Sequence, residues 1–200
     1  MTIQELLDVI LTRIDGPTSC SIFEAVREVQ GIIARRLLDQ QSELIKSERP
    51  ATLIFKTGDG KKPLPGDFWQ LEGRPFVDGQ KPLAPVNRRD LAAYTQPGEP
   101  QIYEVIGKSL FIYPSPTSDT RVTVPYFYKP DLLTQLTDEL YWYGEFDSVF
   151  IDGCVYVLRM GLSAVSNQSF IAMVQSQVDA QLRSATLLVE QQTADALNNW

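Results

Sequence analysis

The chain of 200 residues contains no histidine. That removes the Ser-His-Asp triad, the Cys-His dyad, the HExxH zinc site and every His-ligated metal centre. Its two cysteines, Cys20 and Cys154, form no CxxC and are too few for a disulfide scaffold or a structural zinc site. Both sit among apolar, helix-like residues and are expected as buried free thiols of a reducing cytoplasm rather than as a bridge. Carboxylates remain. Asp138-Glu139 and Glu145-Asp147 are the densest pairs, the raw material of a glycosidase. They border predicted helix starts, however, where the helix dipole favours acidic residues without any catalysis. Gly107-Lys108-Ser109 ends like a phosphate-binding loop, but the glycine needed five positions earlier is Ile102, so a hairpin turn is expected. Thr57-Gly58-Asp59-Gly60-Lys61-Lys62 lacks the further carboxylates that calcium requires and reads as a flexible loop between strands. Tyr103, Tyr113, Tyr126 and Tyr128 could stack bases, yet Lys108, Arg121 and Lys129 are all the cationic neighbourhood offers. These tyrosines are expected in a small β core, and Tyr141-Trp142-Tyr143 as a helix-to-sheet packing anchor. No catalytic constellation emerges. The reading is a protein that is not an enzyme and has no cofactor and no metal.

Proline maps the elements that hold these residues. Twelve of the 13 prolines lie from Pro50 to Pro130, with Pro17 the exception. Because proline breaks helices, the chain reads helical up to Arg49, non-helical from Pro50 to Pro130, and helical again afterwards. A capping box, Thr2-Ile3-Gln4-Glu5, opens the first helix. Ile3, Leu6, Leu7, Ile10 and Ile14 make its apolar stripe, and Asp15-Gly16-Pro17 stops it, with Gly16 left-handed. A second box, Ser21-Ile22-Phe23-Glu24, opens a long helix whose stripe runs from Ile22 through Val26, Val29, Ile33 and Leu37 to Leu44 and Ile45, ending at Ser47 to Pro50.

Strands are expected at 51–56, 101–106, 109–113 and 121–128, with a hairpin turn at Gly107-Lys108 and a short helical turn within 87–94. Pro125 suggests an edge or a bulge in the last of these strands. The third helix carries Phe146, Val149, Phe150, Gly153, Val157, Leu158 and Gly161 on one face, with the two glycines allowing close approach of another helix. Phe170, Met173, Val174, Val178, Leu182 and Val189 mark a last long helix. The fold class is therefore α+β: a four-helix part, two N-terminal and two C-terminal helices, with a β-rich, Pro/Gly-containing insertion. The expected domains are 1–49 with 131–192, the insertion 50–130, and a C-terminal tail 193–200.

Charge follows the same map. The chain, at 22.5 kDa, carries −7. Residues 1–49 hold 6 basic and 8 acidic side chains, residues 50–130 hold 10 and 8, and residues 131–200 hold 2 and 9. The acidic excess thus lies in the C-terminal helices, which is not the footprint of a DNA-binding regulator. The N-terminus has no basic and apolar leader pattern, so no signal peptide is expected. The most apolar stretch, Phe146 to Val165, is interrupted by Asp147, Asp152 and Arg159 and fails as a membrane span.

The middle of the chain carries an ordered string of motifs. Asp67-Phe68-Trp69-Gln70-Leu71-Glu72-Gly73 precedes Pro82-Leu83-Ala84-Pro85-Val86 and Arg89-Asp90-Leu91. Gly98-Glu99-Pro100-Gln101-Ile102-Tyr103 follows, then Gly107-Lys108-Ser109-Leu110-Phe111-Ile112-Tyr113-Pro114-Ser115-Pro116, and Val124-Pro125-Tyr126-Phe127-Tyr128-Lys129-Pro130-Asp131-Leu132. This order resembles the head-to-tail adaptor proteins of tailed bacteriophages, also called connector or head-completion proteins. With the flanking helices the resemblance covers roughly residues 1–192. The Gly58–Gly66 loop and the Gln/Asn-rich C-terminus depart from the pattern.

The resemblance implies a homo-oligomeric ring, usually of twelve copies, in the neck of the virion, assembled in the host cytoplasm. Such a ring binds the portal protein on one side and a tail or nozzle protein on the other. Genomic double-stranded DNA passes through it without specific contacts, and no membrane is involved. An acidic channel would repel the DNA backbone and let it slide. The last helix is rich in glutamine (Gln168, Gln175, Gln177, Gln181, Gln191, Gln192), and Gln175, Gln181, Gln191 and Gln192 are the expected subunit-packing residues. In similar adaptors the C-terminal segment docks into the portal, which points here to Leu197, Asn198, Asn199 and Trp200, a terminal tryptophan being a strong pocket anchor. The alternatives are a tail-completion or tail-tube component, against which the four helices argue, and a carboxylate-based cell-wall hydrolase.

Overall fold

Helix α1 (Ile3–Leu11) begins where the sequence places it. In the computed structural model the Thr2 hydroxyl accepts the Glu5 amide, and the Glu5 carboxylate accepts the Thr2 amide. The model describes residues 1–16, 18–87, 91–142 and 144–198, with side chains described up to residue 185 apart from residue 164. Ile3, Leu6 and Ile10 are buried and Leu7 half-buried, but the helix ends at Leu11, a turn earlier than the stripe through Ile14 implies. Thr12 explains the stop, because its hydroxyl donates to the Val9 carbonyl and its amide turns back to Val9 and Ile10. Gly16 has φ +109, and Pro17 lies outside the described residues.

Helix α2 (Ile22–Asp39) starts at the second capping box, with Ser21 and Glu24 bonded reciprocally. It does not extend to Ile45. Gln41 takes φ 52, and Ser42 caps a separate 3-10 turn, Glu43–Ile45, by accepting the Leu44 amide. Local polar geometry thus overrides an apolar stripe that would have continued.

Contacts divide the chain into two compact units, residues 1–40 with 130–200, and residues 41–129. In the helical unit, α3 (Asp147–Met160) buries Val149, Phe150, Gly153, Cys154, Val157 and Leu158. Gly153 is a close-approach glycine, since a Cβ there would lie 2.9 Å from Val29 Cγ2 and 3.1 Å from Cγ1. Gly161 is not. It has φ +80 and caps the end of α3, so the second small residue of the expected face serves to stop the helix. A 3-10 stretch, Leu162–Ser166, leads to α4 (Gln168–Asn198). Phe170, Val174 and Val178 are buried and Leu182 half-buried, but Met173 is 37% exposed and lies off the stripe. The helix runs through Asn198, so residues 193–198 continue it rather than forming a separate tail. Cys154 is buried, whereas Cys20 is only half-buried; both are free thiols.

Among the described residues the second unit holds ten strands: β1 (Ala51–Phe55), β2 (Lys61–Pro63), β3 (Phe68–Leu71), β4 (Phe76–Val77), β5 (Lys81–Pro82), β6 (Ala84–Pro85), β7 (Ile102–Ile106), β8 (Ser109–Tyr113), β9 (Thr120–Val124) and β10 (Tyr126–Tyr128). One sheet has the order β1-β9-β4-β5, a second β2-β8-β7-β6, and β10 pairs with β3 alone. All pairs are antiparallel except β6 with β7. The β7–β8 hairpin turns at Gly107-Lys108, with Gly107 at φ +59.

The expected strand 121–128 is two strands in two different sheets, and Pro125, with no amide to donate, marks the break. Alternation holds in β9, with Val122 and Val124 buried and Arg121 exposed, but fails after Pro125, because Phe127 is buried as well as Tyr126. Lys61 and Lys62, expected in a flexible loop, belong to β2; Asp59 shapes the turn before them by accepting the Lys56 amide and pairing with Lys62 at 2.7 Å. Leu91–Tyr94 form the expected short helical turn, while Arg88, Arg89 and Asp90 lie outside the described residues. The core of this unit is Phe55, Leu64, Val77, Leu83, Leu110, Ile112, Val122 and Val124.

Candidate functional site

Two of the four carboxylates that could have been catalytic, Asp138 and Asp147, hold turns. Asp138 accepts the amides of Thr134 at 2.8 Å and Gln135 at 2.9 Å, and these bonds hold it below the ordinary carboxylate range. Asp147 accepts the Gly144 amide at 2.8 Å. Glu24, Asp59 and Asp179 are likewise lowered, each by hydrogen bonds to its charged form. A general acid at neutral pH needs the opposite shift. Among the described residues no group of three or more Cys, Asp or Glu side chains is placed to hold a metal. Among them, too, no helix is long and apolar enough to cross a membrane.

The four tyrosines are used within the β unit. Tyr126 is buried; its hydroxyl donates to the Asp67 carboxylate, 3.2 Å from either oxygen, and burial raises its pKa. The half-buried Tyr128 donates to the Leu44 carbonyl at 3.1 Å. Tyr103 packs half-buried against the aliphatic core, which raises its pKa by desolvation, and Tyr113 is half-buried in β8. Tyr141 and Trp142 lie in the helical unit, on the approach to α3: the Tyr141 hydroxyl accepts the Asp131 amide, and Trp142 meets Phe146 edge-on, with centroids 6.4 Å apart. Tyr143 lies outside the described residues.

What the helical unit does offer is surface. Charge divides sharply between the units: residues 1–40 and 130–200 hold 6 basic and 15 acidic side chains, residues 41–129 hold 12 and 10, and every lysine of the chain falls in the latter. An apolar depression of about 310 Å³ lies over α3, lined by Asp152, Val155, Tyr156, Arg159 and Met160, with Tyr156 stacked on Phe170 at 4.7 Å. A narrower groove of about 120 Å³ separates α2 from α4, lined by Glu28, Gly31, Ile32, Arg35, Val165, Ile171 and Gln175. Of the glutamines expected in subunit packing, Gln175 lines this groove and Gln181 is exposed. Gln191 and Gln192 lie on the far part of α4, as do Leu197 and Asn198, and their side chains are outside the described residues, as are Asn199 and Trp200 altogether.

The family model of the SU10 adaptor protein matches residues 1–199, which takes in both units and all of α4. The chain belongs to the SU10 adaptor protein family. The likeness to tailed-phage head-to-tail adaptors, drawn from the motif order in the β unit, is borne out by that match, and the adaptor's role is that of a structural phage protein. A comparison with curated proteins gives no match.

Sequence reasoning missed the clamp that joins α2 to α4 in this adaptor. Arg36 Nε and Nη2 donate to the two oxygens of Asp179 at 2.8 and 2.6 Å, and Gln40 Nε2 donates to Oδ1 at 2.7 Å. Those bonds lower Asp179 and raise Arg36. Arg36 reads as part of the wet face, and nothing in the spacing marks its partner 143 positions on. At the other end of the unit Arg13 pairs with Asp152 at 3.0 Å, and Arg159 donates to the Arg13 carbonyl.

Proposed function

We propose that the adaptor forms a closed ring of roughly twelve copies that joins the portal at the capsid vertex to the tail. Its site is the neck of the virion, and genomic DNA passes through its centre. The observation that carries this reading is the extent of the family match, which at residues 1–199 takes in the helical unit, the β unit and α4. Charge supports it. A helical unit with 15 acidic against 6 basic side chains gives a wall that DNA slides past, since phosphate binding needs clustered cations. The C-terminal residues Leu197 to Trp200 then serve as the portal anchor.

The test is the mass of the purified chain by light scattering, alone and mixed with its portal protein. A single chain of 22.5 kDa that joins the portal in about twelve copies, or a free ring of that size, agrees with the proposal. A single chain that ignores the portal under all conditions refutes it.

A further inference from the structure

The edge strand of a sheet carries amides and carbonyls without partners, and a bare edge pairs readily with another chain. Proteins blunt such edges with short strands, lysine and proline. Among the described residues the two four-stranded sheets have four edges, and three are blunted in this way. Strand β2 is Lys61-Lys62-Pro63, β5 is Lys81-Pro82 and β6 is Ala84-Pro85. The fourth is bare. Strand β1, Ala51-Thr52-Leu53-Ile54-Phe55, is five residues long, holds no charge and no proline, and pairs with β9 in one unbroken register.

That register fixes which groups β1 turns outward. The Asp78 amide donates to the Arg121 carbonyl, and Phe76 stands opposite Thr123, so Arg121 and Thr123 direct their backbone groups to β4. Alternation along an antiparallel ladder then directs Thr120, Val122 and Val124 to β1, where they meet Phe55, Leu53 and Ala51. The amides and carbonyls of Thr52 and Ile54 are left on the outer side, and among the described residues no loop or side chain bonds them.

Both ends of this edge are closed. Pro50 has no amide to give, and Asp59 takes the amide and the carbonyl of Lys56. Between them, apolar side chains are uncovered on both faces: Ile54 is 54% exposed, and Leu53, on the core face, is only half-buried. What fits is an extended backbone as long as β1, apolar on both of its own faces. The exposed charges around the edge are Arg49, Lys56 and Arg121 against Glu48 and Asp119, a positive excess that favours acidic flanks over basic ones. A second copy has no such strand to give. Its other edges in these sheets are the blunted ones, and β1 against β1 consumes both bare edges while joining only two copies.

We propose that β1 is completed by strand addition: an extended, apolar segment with acidic flanks, from a different protein of the phage particle, pairs with the backbone of Thr52 and Ile54. The contact goes beyond the ring reading and holds for any number of copies.

In the test, deuterium exchange at single amides is compared between the free full-length chain and the same chain in purified phage particles. Leu53 and Phe55, which face β9, stay protected in both. Thr52 and Ile54 exchange freely in the free chain and should slow by at least about tenfold in the particle. A second arm uses phage whose own copy is replaced by a variant. Ile54→Pro removes only an outward amide, while Ile54→Lys keeps the amide and sets a charge on the edge, which maintains the test where proline unfolds the chain. Each folded variant should melt within a few degrees of the wild type and enter particles at about a tenth of its level or less. A photoreactive benzoylphenylalanine in place of Thr52 should cross-link to an extended segment of another phage protein, read by peptide mass. Free exchange at Thr52 and Ile54 in the particle overturns the proposal. So does a folded variant that enters at the wild-type level, or a cross-link to β1 of a second copy. A chain absent from the particles overturns the neck reading as well, and the protein content of the particles alone tells that case from the others.

Discussion

Replacing Gly153 by alanine probes the closest approach in the helical unit. The added Cβ would lie 2.9 and 3.1 Å from the two methyls of Val29, well inside contact distance. Val29 cannot swing away, because a β-branched side chain in a helix holds essentially one rotamer and Val29 is fully buried. Moving α3 outward instead would loosen Val149, Phe150 and Val157, which are also fully buried. Overpacking of this kind costs about 1–3 kcal/mol. The better helix propensity of alanine returns about 1 kcal/mol of that. The net is a loss of up to about 2 kcal/mol, a fall in melting temperature of up to about 8 °C followed by far-ultraviolet circular dichroism. Gly31→Ala is the internal control: the same substitution in a helix interior, with open space at the Cβ, should stabilise by about 1 kcal/mol. Val29→Ala removes the obstructing methyls at its own cavity cost, so the double variant Val29→Ala/Gly153→Ala should lose at least about 1 kcal/mol less than the sum of the two single losses. A Gly153→Ala chain that melts at or above the wild type, or one strictly additive with Val29→Ala, would refute the packing argument.

Two further outcomes follow from the electrostatics. Asp179→Asn breaks a two-pronged charged contact between α2 and α4 and should cost about 1.5–3 kcal/mol near neutral pH, measured by urea unfolding. Because Asp179 is lowered in the folded chain, its contribution is present above the unfolded carboxylate value of 3.8 and is lost as pH falls through the lower folded value. Wild type and variant should therefore differ by a constant amount from pH 7 to about 5 and converge only in stronger acid. Burial raises the thiol pKa of both cysteines, with Cys154 fully enclosed and Cys20 only partly. A thiol reagent at mildly alkaline pH should accordingly modify Cys20 slowly and Cys154 only on unfolding, a difference read by peptide mass.

Features set by neighbours in sequence were legible in advance, and those set by distant partners were not. Both capping boxes and the Gly107 turn form where their residues predict, because donor and acceptor lie within a few positions of each other. The end of α2 was not legible, since Leu44 and Ile45 keep the helical spacing and only Gln41 and the Ser42 cap break it. Gly153 and Gly161 look alike on one face of α3, yet one is a packing surface and the other a helix stop, a distinction that requires Val29 and the backbone angle. Pro125 announced an interruption without showing that the two halves of the strand serve different sheets. The Arg36–Asp179 clamp and the groove beneath it belong to the same class: they arise where two helices far apart in sequence meet, and no local pattern encodes the meeting.

The segregation of lysine has a practical consequence. The helical unit takes its positive charge from arginine alone, so an endoprotease specific for lysine has no cleavage site in residues 1–40 or 130–200 and can cut only within the β unit. Amine-directed acylation would mark that same unit, apart from the terminal amine of Met1. Limited digestion and labelling thus become a map of the particle: whichever lysines are shielded once the neck is built report which faces of the β unit its neighbours cover, while the helices remain intact as a reference.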